Sequence, residues 1–455
     1  MIESLTLENF LSFKNKIEFN FTASMERPKA GFEHISWYET IGKKKIQKIQ
    51  FLFGNNGTGK SNFMNAIAAL CRLVCCRATS KTDEDSKIPD FFFRLSDETI
   101  NKPSLIEIVF HYDNIRYRYE IKCLNNTIEF ERLTRCTIGK KETTVFIRTF
   151  NKEKDLVEIE FPSKFIQPEA QNIIKDNVIR NTSVISIYDE KNFVAEDLRA
   201  VYNYFSRIQY LSRLEELDLP SMLHNRKDGD RLKTILLRLL SDIGSNIIDY
   251  KIEIIEPKLS EHEIMIFKSV FGEEDFKKRF ANGTRKILTL QFAHPSDNES
   301  GKAWLQANEE SEGTLNMIRL IIAMYDAIVI NTPILIDECA SGIHQQTFGR
   351  IVQFFLYSSS KAQAFMASQH LSIMEMDGFR RDTMKFFDKN RQTGETSCSE
   401  VDLRKYHKNI NILKAYLDNS FGCLPAFPTQ EEWILHLSQY KDIITNININ
   451  EGQFD

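Results

Sequence analysis

The chain has 455 residues, of which 42% are hydrophobic and 27% charged, and its formal net charge is −4. This length allows one large domain with an insertion, or two to three ordinary domains. The near-balanced charge gives no global sign of a nucleic-acid binder, and no uninterrupted apolar run approaches the roughly 18 residues of a membrane span. The first ten residues lack the features of a signal peptide, and the eight cysteines form no CxxC pair. We expect a cytoplasmic protein with free thiols and no membrane partner.

The first third of the chain combines strand patterns with one helix pattern. Residues 2–20 alternate apolar and polar side chains and predict two strands with a turn near residues 14–16. Residues 48–53 predict a short buried strand, and residues 60–77 predict a helix. Residues 103–133 predict three antiparallel strands with two-residue turns at 113–114 and 125–126, and two further strands follow by about residue 161.

The middle of the chain, residues 163–245, has a largely helical pattern. One apolar face is indicated by residues at spacings of three and four: Leu198, Val201, Phe205, Ile208 and Leu211. The pattern does not continue as heptads, so no long coiled coil is predicted.

Further along, residues 250–257 predict a strand, and residues 285–294 and 302–311 predict a hairpin. A helix over 315–331 and a strand over 333–338 complete an α/β pattern.

The stretch "FLFGNNGTGKSN" (51–62) matches the phosphate-binding pattern G-x-x-x-x-G-K-[ST]. Its glycines allow the backbone to wrap around phosphate oxygens, and its N–H groups and the following helix start favour an anion. Lys60 is predicted to reach the β- and γ-phosphates of ATP, and the Ser61 hydroxyl to ligate Mg²⁺. The other predicted nucleotide contacts in this loop are Asn55, Asn56, Gly57, Thr58, Gly59 and Asn62. A chance match is disfavoured because a strand precedes the motif and a helix follows it.

A second acidic motif follows in "TPILIDECASGIHQQ" (332–346). We expect its short apolar strand to lie beside the strand that feeds the phosphate-binding loop. Asp337 is the predicted Mg²⁺ ligand, and Glu338 is the predicted base that orients and deprotonates the attacking water. The alternative is an ordinary apolar strand that ends in a solvated acidic turn.

A third motif, "EESEGTLNMIRL" (309–320), precedes the acidic motif. Ser311, Gly313 and Thr314 form a turn of small residues at the start of an apolar helix, which predicts a second anion-binding site. The alternative is a simple N-cap, in which the Ser311 side chain only caps the helix.

Taken together, these segments resemble the SMC-like branch of the ABC-type ATPases. In those proteins the "S-x-G-T" signature contacts the γ-phosphate held by the other subunit, so two heads enclose two ATP molecules. The segment "SQHLSIME" (368–375) is similar to the family's switch segment, which implies that His370 senses the γ-phosphate, although Gln369 replaces the usual Thr. In "SGIH" (341–344), Ser341 is the implied contact between heads.

The same resemblance implies further nucleotide contacts near the N-terminus. The segment "NFLSF" (9–13) resembles the one that packs beside the base and ribose, and its implied contacts are Asn9, Phe10, Ser12 and Phe13. No glutamine occurs near residues 91–95, so the family's Q-loop glutamine has no assigned position.

The resemblance implies an α/β fold, the ABC/SMC-type P-loop ATPase head. Such a head has a mixed sheet with helices and an antiparallel β subdomain, here with a mainly helical insertion and no long coiled coil. We predict four segments: an N-terminal lobe (1–162), a helical insertion (163–248), a C-terminal lobe (249–428), and a C-terminal helix and tail (429–455).

Residues 380–401 and 411–427 resemble the closing strands and the ending of the AAA15 family, SMC-like ATPases related to the OLD proteins. Such ATPases often belong to bacterial antiphage systems and act beside a nuclease. The sequence continues for 28 residues after "CLPAF" and shows no carboxylate cluster, so we expect the effector to be a separate chain. The implied partners are a second copy of this chain, in a homodimer or an assembly of dimers, a Toprim nuclease and a phage protein as trigger.

Other functions remain open at this stage. A DNA-repair clamp is suggested by basic clusters, for which solvated surface is the alternative: Lys43, Lys44, Lys45, Lys48, Arg380 and Arg381. A nucleotide-gated scaffold that senses a protein predicts little DNA affinity. A P-loop kinase or GTPase is disfavoured, because no N-K-x-D segment occurs and neither class uses the signature turn.

Overall fold

The structure is a computed structural model. It describes residues 1–26, 31–78, 80–81, 87–137, 139–280, 284–401, 410–424 and 428–445. The last three residues of the AAA15-like ending (425–427) and the tail after residue 445 lie outside the described residues.

The strands of the described residues are, in chain order, β1 Ile2–Glu8, β2 Ile17–Asn20, β3 Tyr38–Ile41, β4 Lys44–Gln47, β5 Ile49–Phe53, β6 Ser104–Tyr112, β7 Ile115–Leu124, β8 Thr127–Thr137, β9 Thr143–Asn151, β10 Leu156–Glu160, β11 Gln209–Leu211, β12 Asp249–Ile255, β13 Ile287–Pro295, β14 Lys302–Gln306, β15 Pro333–Ile336, β16 Gln363–Ala367, β17 Met384–Lys389 and β18 Thr396–Glu400. The α-helices are α1 Lys60–Cys75, α2 Asp97–Ile100, α3 Pro168–Asn177, α4 Glu196–Phe205, α5 Leu219–Leu223, α6 Gly229–Asp242, α7 Glu261–Phe271, α8 Glu273–Arg279, α9 Glu312–Ile330, α10 Gln345–Ser358, α11 Ile412–Leu417 and α12 Gln430–Thr445.

A seven-stranded antiparallel sheet contains most of the first third of the chain, in the order β10-β9-β8-β7-β6-β1-β2. The two predicted hairpin turns are confirmed between β6, β7 and β8. Asp113, Asn114, Asn125 and Asn126 all have positive φ, which two-residue turns between twisted strands require and which Asn and Asp tolerate. Alternation and the turn residues therefore account for these three strands and for the turns between them.

A second, six-stranded mixed sheet has the order β11-β15-β16-β5-β17-β18. All its neighbours are parallel except β17 and β18, which form an antiparallel hairpin. The expectation that β15, the strand before Asp337, lies beside β5 is wrong, because β16 separates them. All five side chains of β16 are buried, and the strand pairs with a neighbour on each side. The two sheets are joined where the buried Gln363 side chain bonds the backbone of Ile2.

The described residues form two hydrophobic cores. One lies between the mixed sheet and helices α9 and α10, and the other lies between the antiparallel sheet and helices α1 and α4. Residues 166–205 of the predicted helical insertion pack into the second core, whereas residues 214–247 pack into the first. The four-segment division of the chain therefore stays a prediction.

The structure changes one end of the predicted helical face. Leu198, Val201 and Phe205 are buried on α4 as expected, but the helix ends at Phe205. Leu211 belongs instead to β11, a three-residue strand at the edge of the mixed sheet. Three residues carry too little periodicity to be recognised in a sequence, and the pairing with β15 decides their conformation.

Helix α9 is the central helix of the first core and begins at Glu312, one turn earlier than predicted. By length and composition it could cross a membrane, yet 67% of its apolar window is buried inside the protein. It is also the longest helix in the described part of the chain, where no long coiled coil occurs. Strands β12, β13 and β14 form a separate antiparallel sheet, with α7 and α8 between the first two.

Candidate functional site

The phosphate-binding loop connects β5 to α1, and its conformation depends on glycine. Gly54, Gly57 and Gly59 all have positive φ. A Cβ at Gly59 would lie 2.6 Å from Thr396 Oγ1 and 2.9 Å from Ser12 Oγ, so a larger residue would force the loop or these two side chains to shift. The loop is thus closely packed from behind, while its front faces solvent.

Lys60 begins helix α1, and its Nζ atom donates to the carbonyl oxygens of Gly54 and Asn55 at 2.8 and 2.9 Å. Burial lowers the pKa of Lys60, and the nearby carboxylates of Asp337 and Glu338 oppose that shift. The cation therefore lies within the electrostatic reach of both acidic residues that the sequence predicted for the same site.

Ser61 and Asp337 meet although they are far apart in sequence. The Ser61 hydroxyl donates to Asp337 Oδ2 at 2.5 Å. Two hard oxygen ligands side by side at a phosphate-binding loop suit Mg²⁺. The donor set therefore fits the predicted metal.

Glu338 follows Asp337 directly and has an unusual backbone. Its φ is +49°, in the left-handed region that a residue with a Cβ rarely adopts, and its N–H donates to Asp337 Oδ1 at 3.1 Å. Such backbone strain is common at functional sites. Gln369 Nε2 donates to Glu338 Oε1 at 3.4 Å, which gives Gln369 a contact that the sequence had left undefined.

The switch segment reaches this site because of the strand order. Residues 368–370 leave β16, which lies between the phosphate-loop strand and β15, so they emerge between Lys60 and Glu338. The His370 N–H donates to Ser368 Oγ at 3.0 Å, and its exposed ring has no hydrogen-bond partner among the described residues. Strand β16 thus brings His370 to the edge of the sheet that carries Lys60 and Glu338.

The signature turn, residues 311–314, forms the N-terminus of α9. Ser311 Oγ accepts from the Thr314 N–H at 3.1 Å and lies 2.8 Å from Thr314 Oγ1, so Ser311 does cap the helix. Gly313 contacts the backbone of Gly342 closely, and the Asn316 amide donates to the Ser341 carbonyl oxygen at 3.3 Å. The turn and residues 341–344 therefore form one continuous surface, and none of these contacts is with the phosphate-binding loop.

The N-terminal segment 9–13 lies differently from the prediction. Phe10 and Phe13 are fully buried, so their side chains do not reach a nucleotide. Asn9 is also buried, where its amide bonds the backbone of Phe93, Thr99 and Lys102. The predicted base contact of these three residues is therefore corrected: Asn9 links the end of β1 to residues 93–102, and Phe10 and Phe13 pack in the second core.

Ser12 is the member of that segment that lies at the loop. Its Oγ accepts from Asn62 Nδ2 at 2.7 Å and lies 2.8 Å from Thr396 Oγ1. Thr396, at the start of β18, also donates to the Thr58 carbonyl oxygen at 2.9 Å. The β17–β18 hairpin is thus a neighbour of the phosphate-binding loop that sequence reasoning missed, because no local motif marks it.

The basic clusters considered as a DNA surface are mostly engaged within the chain. Lys44 pairs with Glu3, and Lys48 is buried, where its Nζ donates to the Ser359 carbonyl oxygen at 2.6 Å. The arginine pair 380–381 forms ion pairs with acidic residues of this chain. These cations therefore have partners other than phosphate.

The phosphate-binding loop, the Ser61–Asp337 contact and the mixed sheet define a protein of the P-loop nucleotide-binding class. Within it, the family described as "AAA domain, putative AbiEii toxin, Type IV TA system" matches residues 49–375, more than half of the chain, and the chain belongs to that family. No curated protein sequence matches the chain.

Several solved structures are similar in outline. An SMC head domain from Thermotoga maritima is 12% identical, covers 88% of this chain and 99% of its own, and has a TM-score of 0.40. An Smc head domain with an extended coiled coil, bound to a ScpA domain derived from Pyrococcus furiosus, is 13% identical, with coverages of 92% and 99% and a TM-score of 0.36. The recombination mediator RecF is 12% identical, with coverages of 88% and 98% and a TM-score of 0.33. With identities and TM-scores this low, the likeness does not assign a function to this chain.

Proposed function

We propose that this chain binds ATP with Mg²⁺ and hydrolyses it slowly or under regulation, in a site completed by a second copy. The observation that carries the proposal is the contact of Ser61 with Asp337, which joins the phosphate-binding loop to the acidic motif. Glu338 follows at the same edge of the sheet, close enough to Lys60 to influence its pKa.

The proposed reaction is attack of water on the γ-phosphorus, with cleavage of the bond to the bridging oxygen of ADP. Glu338 would accept the proton from that water, and Lys60 would neutralise charge on the β- and γ-phosphates. Ser61 and Asp337 would hold Mg²⁺, which when bound would neutralise further negative charge on the phosphates. His370, which follows β16, would contact the γ-phosphate from a position between the ends of β5 and β15.

The need for a second copy follows from the signature turn. The first N–H groups of a helix have no partner within the helix and suit an anion. Ser311 and Glu312 are exposed, and the described contacts of the turn are with α9 and with residues 341–342. A turn with this chemistry and no contact to its own loop is suited to the nucleotide held by another head.

We further propose that the paired heads act as the sensor and scaffold of a bacterial antiphage system of the abortive-infection type. In this role they would hold a separate effector, such as a Toprim nuclease, and release it when a phage protein is sensed. Support comes from the AAA15-like ending and from the family description, which names a toxin of a Type IV TA system. The AriA ATPase subunit of the PARIS system is the proposed functional counterpart.

The alternative is a clamp that acts on DNA with a partner nuclease. The internal partners of Lys44, Lys48 and the arginine pair 380–381 make these residues poor candidates for phosphate contacts. Binding to duplex DNA that weakens steeply with salt would favour the clamp.

The proposal can be tested with the Glu338→Gln variant, which should bind ATP without turning it over. Sedimentation in ATP and Mg²⁺ should show paired heads, and sedimentation in ADP should show fewer. If the fraction of paired heads were the same in ATP as in ADP, the shared site would be contradicted. Co-purification with the product of the neighbouring gene, in the presence and absence of ATP, tests the effector role separately.

A further inference from the structure

A cavity of about 660 Å³ adjoins the phosphate-binding loop. Its walls are Asn55, Asn56 and Thr58 of the loop, Leu95, and the turn 388–394 between β17 and β18. This volume lies within the roughly 300–1,000 Å³ of small-molecule sites. The proposed hydrolysis reaction uses none of the residues of this turn.

The strand order places this cavity on one side of the loop. Asp337 follows β15, which lies two strands from β5 on one flank, whereas β17 and β18 lie on the opposite flank. Ser61 and Asp337, which are in contact, would hold the metal and with it the outer phosphates on the β15 side. A bound triphosphate would then find room for its nucleoside end on the other flank, in the cavity beside the β17–β18 hairpin.

The turn forms one wall of the cavity, and hydrogen bonds anchor it to the rest of the site. Asn390 Oδ1 accepts from the N–H groups of Gln392 and Thr393 at 2.9 and 3.0 Å. Asn15 Nδ2 donates to Glu395 Oε1 at 2.7 Å, one residue beyond the turn. Thr396 then bonds Ser12 and the loop itself, as described above. These bonds connect the wall to the phosphate-binding loop.

The side chains on this wall combine an apolar surface with unused polar groups. Leu95 is 65% exposed, which is unusual for a leucine beside a cavity. Arg391 and Gln392 are exposed, and among the described residues their side chains have no hydrogen-bond or ion-pair partner. An apolar face and free donors are what a base and a ribose require.

We propose that this cavity binds the base and ribose of the nucleoside triphosphate. In this arrangement Leu95 packs on the base, while Arg391 and Gln392 bond the polar edges of the nucleoside. Residues 9–15 support the hairpin from behind. The inference rests on the proposed nucleotide site and moves the nucleoside contact from residues 9–13 to Leu95 and the turn 388–394.

The test compares two ligands that share phosphates and differ in the nucleoside. Calorimetric titration of the full chain in Mg²⁺ buffer measures the affinity for ATP and for inorganic tripolyphosphate. The cavity variant combines Leu95→Ala with Arg391→Ala. The matched control combines Leu156→Ala, which is 54% exposed on β10, with Arg238→Ala, which is exposed on α6.

The wild-type chain should bind ATP more tightly than tripolyphosphate. In the cavity variant the affinity for ATP should fall about tenfold, because one apolar contact and one hydrogen bond are lost, while the affinity for tripolyphosphate stays within about twofold. The control should match the wild type.

Three results would overturn the inference. Equal wild-type affinity for the two ligands would mean that no nucleoside subsite exists, although the phosphate site stands. An unchanged ATP-to-tripolyphosphate ratio in the cavity variant would exclude this cavity as the subsite. Failure of the wild type to bind either ligand would overturn the nucleotide site itself, and the inference with it.

Discussion

Two helical glycines offer a direct test of the contact between the signature turn and residues 341–344. A Cβ at Gly313, in the first turn of α9, would overlap the Gly342 carbonyl oxygen and lie 3.2 Å from its carbonyl carbon. A Cβ at Gly349, on α10, would overlap the terminal methyl of Met376, which is the far end of a flexible side chain. Both positions are helical, so the two Gly→Ala variants differ mainly in the group that must move. It is the backbone of Gly342 in one and the side chain of Met376 in the other.

The magnitudes follow from that difference. Replacing a helical glycine with alanine stabilises by up to about 1 kcal/mol. Overpacking against a backbone costs about 1–3 kcal/mol. We therefore expect Gly313→Ala to lower the free energy of unfolding by roughly 1 kcal/mol, since overpacking exceeds the helical gain. Gly349→Ala should leave it unchanged or raise it by up to about 1 kcal/mol, because the Met376 side chain can rotate away.

Urea denaturation of both variants and the wild type measures these free energies. Steady-state phosphate release should also fall in Gly313→Ala, because displacing Gly342 disturbs the residues that follow Glu338. Gly349→Ala should retain wild-type turnover. If Gly313→Ala proved at least as stable as Gly349→Ala, the close packing of the signature turn against Gly342 would be refuted.

The remaining predictions concern the reaction, the shared interface and pH. Glu338→Gln should reduce phosphate release by about 10²- to 10⁴-fold with ATP affinity retained, and unchanged turnover would remove Glu338 from its role as base. Ser311→Arg should abolish hydrolysis and ATP-dependent pairing, measured by phosphate release and sedimentation, because it adds bulk and charge at the interface; survival of both would refute the shared site. Although burial raises the pKa of Glu3, hydrogen bonds from His111 and Arg116 lower it further than burial raises it, to well below its usual range. The ionised Glu3 therefore stabilises the fold above the usual glutamate pKa, and this contribution is lost as the pH falls towards the lowered value. Urea titrations should show Glu3→Gln less stable than the wild type by roughly 2 kcal/mol at pH 7, with the gap closing in acid, and a gap independent of pH would contradict this account.

Local patterns were sufficient for much of the fold. The hairpins of residues 103–133 were predictable because alternation and Asn- or Asp-containing turns act within a few residues. The three motifs around Lys60, Asp337 and Ser311 were recognisable because their chemistry requires particular residues at fixed spacing. The spatial meeting of Ser61 with Asp337 follows from that chemistry and is seen in the structure.

The remaining features depend on contacts between distant segments. The position of β16 between β5 and β15 cannot be read from its five buried residues, because every buried strand has the same pattern. Phe10 and Phe13 resembled nucleotide contacts in sequence, but packing places them in the core. The turn 388–394 carries no motif, and only the strand order brings it to the phosphate-binding loop.

The central claim is that the active site is shared by two copies of the chain, and a mixing experiment tests it most directly. Lys60→Ala damages the phosphate-binding loop and leaves the signature turn intact, whereas Ser311→Arg does the reverse. Each variant alone should fail to release phosphate. An equimolar mixture should recover up to about half of the wild-type rate, because neither variant pairs with itself on ATP, so the pairs that form are mixed and each has one intact site of two. No recovery, with ATP binding by Ser311→Arg retained, would contradict the shared site.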